Sequence, residues 1–128
     1  MKKILLISAI AASLSGCASP LGDPSLKAEA EAPLICSGEK ECGLFWQRAQ
    51  FWVASNSAWK IETANDTLIS THNPMPNSPA TAYQVTKLPN TDGTARIFIK
   101  PFCDNMFGCQ PKPYEATVAF KRFVKNGA

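Results

Sequence analysis

Past residue 16 the chain has no apolar run approaching the about 20 residues that a helix needs to cross a bilayer, so any membrane contact must be made another way. Histidine is nearly absent. His72 stands alone before Asn73-Pro74, with no Ser or Cys nucleophile in a catalytic motif, and a structural role accounts for it before catalysis does. No HExxH, no CxxC redox pair and no glycine-rich phosphate loop occurs. Asp66, Asp92 and Asp104 each fall in a turn context, where a carboxylate satisfies local backbone donors, so they supply no acid and base pair. These absences argue against an enzyme, and the pattern calls for no cofactor and no metal.

Net charge is scarce as well. The chain carries 13 Lys and Arg against 10 Asp and Glu, and without Lys2 and Lys3 residues 17 to 128 hold 11 against 10. Such a balance gives no basic footprint for nucleic acid and no polybasic patch for anionic lipid.

What is present begins at the amino terminus. Met1-Lys2-Lys3 is a short positive region, and Ile4 to Leu14 is an apolar run interrupted only by Ser8 and Ser13, the pattern of an export signal. It closes on Leu14-Ser15-Gly16-Cys17, which resembles the lipobox of bacterial lipoproteins: leucine at −3, small residues at −2 and −1, and an obligatory cysteine at +1. The resemblance covers the first twenty residues. It implies cleavage after Gly16, a thioether from Cys17 to diacylglycerol, and acylation of the new amino terminus, leaving the lipid bilayer as a partner. One acyl chain holds a protein only marginally, at roughly 0.8 kcal/mol per buried methylene, whereas three make a lasting anchor. Ala18 at +2, in place of aspartate, implies in the Gram-negative families passage to the outer membrane, on its periplasmic face.

With Cys17 assigned to lipid, Cys36, Cys42, Cys103 and Cys109 remain, and four cysteines in an exported chain read as two disulfides. Both pairs are spaced C-x5-C. Local pairing of Cys36 with Cys42 and Cys103 with Cys109 is favoured because short loops close readily, and cross-pairing stays open. On the chain-entropy account a seven-residue loop contributes about 2.4 kcal/mol. A four-cysteine zinc site is disfavoured by the spacing and by the oxidising compartment.

Residues 1–16 thus read as signal peptide, 17–34 as a flexible tether rich in Ala, Ser, Pro, Glu and Lys, and 35–128 as a single domain. The seventeen residues from Ala18 to Leu34, as such a coil, span roughly 23 Å, and the Lys27 to Ala32 piece turns helical only transiently. Glu41 to Ser57 reads as a helix, with Cys42, Phe45, Trp46, Ala49, Trp52, Val53 and Asn56 on one face. Core packing accounts for its two tryptophans before a binding surface does. Trp59 to Thr63 and Thr67 to His72 read as a hairpin about Asn65-Asp66, residues 73–79 as a proline loop, and Ala80 to Leu88 as a third strand that turns back through Asp92-Gly93. Ala95 to Phe102 is apolar on both faces, which places it centrally or gives it a second contact surface. A last helix follows Pro111-Lys112-Pro113, with Ala116, Ala119, Phe120, Phe123 and Val124 opposite Lys121, Arg122 and Lys125.

The expected fold is therefore α+β, a two-layer sandwich of a four-stranded antiparallel sheet with two helices on one face, in the order α-β-β-β-β-α. From Cys36 to Val124 the chain is similar to small Gram-negative envelope lipoproteins that carry no established activity, through Glu41-Cys42, Ala49-Gln50-x-Trp52-Val53 and the Cys103 to Cys109 loop. The helix and following hairpin also look like helix-grip modules in accessory lipoproteins of outer-membrane assembly machinery, a likeness of architecture only. The expected function is a non-enzymatic, outer-membrane-anchored periplasmic lipoprotein binding another envelope component, with a small apolar or lipid ligand between helices and sheet as the alternative. Candidate contact residues are Met106 and Phe107, at the tip of the Cys103 to Cys109 ring, and Trp59. Phe107 has two outcomes, an exposed anchor or an inward-folded core residue, and the second has the stronger claim in so small a domain.

Overall fold

A computed structural model of the protein describes residues 19–128. Cys17 and the expected signal peptide lie outside the described residues. A 3-10 turn, Pro24–Leu26, opens into α1 (Lys27–Glu31) and then the short strand β1 (Leu34–Ser37). Next come α2 (Gly38–Asn56), the hairpin β2 (Ile61–Ala64) and β3 (Leu68–Thr71), the long pair β4 (Ala82–Pro89) and β5 (Thr94–Phe102), and α3 (Pro113–Asn126). The strands form one antiparallel sheet in the order β1-β5-β4-β3-β2.

The expected α+β class and two disulfides are present, but the sheet has five strands where four were expected, and three helices stand where two were expected. The additional strand, β1, is only four residues long between Pro33 and Gly38, too short to show a period. Its partner decides it. β5 would otherwise leave an open edge, and Leu34 pairs with Ile97 and Cys36 with Ala95, so both inward side chains enter the core. β5 therefore lies between β1 and β4, as its two apolar faces suggested.

The second correction concerns the expected tether, which is ordered from the 3-10 turn onward. α1 packs on α3, with Ala30 buried. Lys121, expected on the solvent face of α3, is buried instead, and its Nζ donates to the Ala30 and Ala32 carbonyls. Arg122 closes a two-point bridge on Glu29 at 2.6 Å. Ala119, expected in the buried stripe, faces solvent, while Thr117 and Val118 are buried.

α2 begins three residues earlier than periodicity suggests. Gly38 takes φ 78°, a left-handed turn open to glycine, and the Glu41 carboxylate accepts the Ser37 N–H at 2.9 Å. Phe45, Trp46, Ala49, Trp52 and Val53 face the sheet as expected, joined by Ala116, Phe120 and Val124 of α3 over Ile69, Tyr83, Val85 and Ile97. Trp52 sits edge-on to both Tyr83 and Phe120, with ring centroids 5.2 and 5.4 Å away. Arg48 donates to the Val124 and Lys125 carbonyls at 3.0 and 3.1 Å, placing a cation at the negative end of α3. Both helices thus cover one face of the sheet, and the other is left uncovered by the described residues.

Candidate functional site

The directions of the strands bring distant loops to one end of the molecule. β5 ends and β4 begins there, so the proline loop before β4 and the Cys103 to Cys109 ring after β5 lie side by side. α3 starts at that end too, and its Tyr114 N–H donates to the Leu21 carbonyl at 2.7 Å. The start of the described chain therefore enters at the same end of the molecule as the ring.

The ring is held from behind. Cys103 is joined to Cys109 with their Cα atoms 5.6 Å apart, and Cys36 is joined to Cys42, the favoured local pairing. The Asn105 side chain donates to the Asn77 carbonyl at 2.7 Å and accepts the Phe107 N–H at 2.9 Å, tying the ring to the proline loop and shaping its tip. Behind it, the Gln110 N–H donates to the Pro79 carbonyl at 2.7 Å and the Thr81 hydroxyl to the Pro111 carbonyl at 2.7 Å. Gly108 takes φ 104°, which lets the chain reverse before Cys109.

What the ring presents is apolar. Met106 is 90% and Phe107 91% exposed, so the inward-folded outcome for Phe107 is not the one adopted. A loop tip has no sequence period to reveal its direction, and here Asn105 and Gln110 tie the ring back to the proline loop. Trp59, the third candidate, is a packing residue: it is half-buried, and its indole N–H donates to the Ala80 carbonyl at 2.9 Å. Two residues that sequence reasoning passed over, Leu21 and Met75, are also exposed at this end. The proline count of the Met75 loop signalled a loop and nothing about its neighbour.

Among the described residues, the polar groups weighed for chemistry take solvent-facing or backbone-satisfying positions. His72 is exposed, with its Nδ1 3.7 Å from the equally exposed Glu62 carboxylate. The Asp92 carboxylate accepts the Thr94 hydroxyl and N–H at 2.6 and 3.1 Å, which hold it below the usual carboxylate range and make it a turn residue. Burial lowers the Lys121 ammonium's pKa, and that group is spent on two carbonyls. Among the described residues no three His, Cys, Asp or Glu side chains form a group able to hold a metal ion. No helix among them is long and apolar enough to cross a membrane.

No family model, curated protein or solved structure matches the chain. Its surface must therefore be read from its own geometry.

The second notable surface is the sheet face that no helix among the described residues covers. Ile35, Leu88 and Phe98 are exposed there, and register places Phe98 opposite Thr86 and Leu88 opposite Arg96. The Arg96 guanidinium lies 4.7 Å from the Phe98 ring and the Lys100 ammonium 5.9 Å from the Phe102 ring. No acidic residue occurs in β1, β4 or β5, so this apolar face carries positive charge alone on those strands.

Proposed function

We propose that this protein is a non-enzymatic lipoprotein of the Gram-negative envelope, held by acylated Cys17 on the periplasmic face of the outer membrane, whose domain binds another envelope protein. The observation that carries the anchor is Leu14-Ser15-Gly16-Cys17 closing an apolar run behind two lysines. The binding role is supported by the uncovered sheet face, where Arg96 and Lys100 stand beside exposed Phe98 and Leu88. A partner surface that mixes acidic with apolar side chains complements it, because the apolar contact supplies burial and the charges select orientation. The alternative, an apolar ligand between helices and sheet, gains no such support: Trp52 wedged against Tyr83 and Phe120 fills that interior.

Detergent phase partition of the wild type and of Cys17→Ala tests the anchor. The wild type is expected in the detergent phase and the variant, still folded, in the aqueous phase; a variant retained in detergent would overturn it. A photo-crosslinking residue placed at Phe98 in living cells tests the face. A single envelope-protein adduct that disappears with Arg96→Glu is expected, and adduct formation indifferent to that charge reversal would refute the proposed complementarity.

A further inference from the structure

We propose that the ring tip Met106-Phe107, with Leu21 and Met75 exposed at the same end of the domain, is a membrane-docking element that inserts into the lipid headgroup region and fixes how the domain stands on the bilayer. The inference rests on the anchorage of Cys17 and adds an orientation to it.

Chain length supplies the first half of the argument. From Cys17 to Leu21 is four residues, which even fully extended reach only roughly 14 Å. Leu21 is no loose end, since its carbonyl is held by the Tyr114 N–H in the first turn of α3. With the ordered segment beginning so early, acyl chains on Cys17 bring the α3-entry end of the domain down onto the bilayer. A long swinging tether is not there to hold it off.

The same end carries the apolar side chains that a water-facing loop has no use for. The base of the ring, Cys109, is five residues from Tyr114, a span of at most roughly 18 Å. Met106 and Phe107 are almost fully exposed, and Met75 lies in the loop that Asn105 grips. The opposite end, with the Asp66 and Asp92-Gly93 turns, carries polar residues at its tips. A ring closed by a disulfide and shaped by Asn105 loses little freedom when it inserts, so the apolar gain is not offset by ordering. Insertion of apolar side chains into the headgroup and acyl boundary is the physics of interfacial anchoring. Asp104, Lys112 and Glu115 all fall between the end of β5 and the first turn of α3, a mixed set that gives anionic lipid no special hold. Docking is therefore apolar and insensitive to salt.

Phe107→Trp in the full-length lipoprotein, reconstituted into zwitterionic vesicles whose acyl chains carry bromine, tests this against the wild type as blank. The emission that the substitution adds is expected to be largely quenched by the brominated lipid, shielded from aqueous iodide, and unchanged by high salt. Thr91→Trp, in the turn at the opposite end, is expected to show the reverse pattern. Intact mass of the same preparations reports acylation of Cys17. An unacylated chain would refute the anchor and this inference together. Acylated protein whose added emission at position 107 stays open to iodide and untouched by bromine, or whose Thr91→Trp signal is the one quenched, would refute the orientation alone.

Discussion

Tyr83 shows at the scale of one residue how burial turns into a pH dependence. Its side chain is fully buried, and its hydroxyl has no hydrogen-bond partner among the described residues. Burial disfavours the phenolate and pushes the pKa up to about 12. Because the unfolded chain ionises near an ordinary value of about 10, this contribution is complete below pH 10 and is lost as pH rises from about 10 through about 12. The loss amounts to on the order of 2 to 3 kcal/mol. Tyr83→Phe is expected to flatten the alkaline side of a stability profile measured by urea unfolding, while leaving neutral stability equal or slightly higher, since the lost hydroxyl made no bond. A neutral-pH loss above about 2 kcal/mol would show that the hydroxyl does have a partner. The same scale marks a limit of sequence reading. Alternation marks Tyr83 and Val85 as one face of a strand, but the orphaned hydroxyl follows only from what surrounds it.

Among the elements, α1 is the one whose existence rests most on tertiary contact. Five residues are far too few for a helix to persist alone in water, and its composition reads as linker. Lys121 makes the difference by carrying its ammonium across to the Ala30 and Ala32 carbonyls, the second of which lies just past the end of α1. Lys121→Ala is expected to cost about 1 to 3 kcal/mol and to expose residues 24–33 to rapid limited proteolysis, as two carbonyls lose a charged donor. Arg122→Ala removes only a solvent-exposed pair with Glu29 and is expected to leave the melting temperature nearly unchanged. Equal effects of the two substitutions, read by thermal melting and by cleavage rate, would contradict this division. For the long elements the outcome is different. α2 and the β4 and β5 strands carry enough apolar periodicity to be legible in advance, whereas β1, at four residues, is decided by the edge it pairs with.

In the molecule as a whole, two disulfides of equal loop length do unequal structural work. Each closes a seven-residue loop, for which chain entropy alone gives about 2.4 kcal/mol. Cys36 is fully buried in the core where β1 meets α2, while the Cys103 and Cys109 pair sits at a half-exposed ring outside it. Replacing Cys36 and Cys42 by alanine is therefore expected to lower the melting temperature more than replacing Cys103 and Cys109, the excess coming from the core atoms removed. Equal losses in calorimetry would mean that both act through the unfolded chain only. From the sequence alone followed the α+β class, the apolar face of α2, the turn chemistry of Asp92 and the local pairing of the four cysteines, because these depend on local spacing and on residue type. Tertiary structure alone decided the fifth strand, the docking of α1, the outward Phe107 and the gathering of Leu21, Met75, Met106 and Phe107 at one end, because each depends on which distant segment comes to lie beside it.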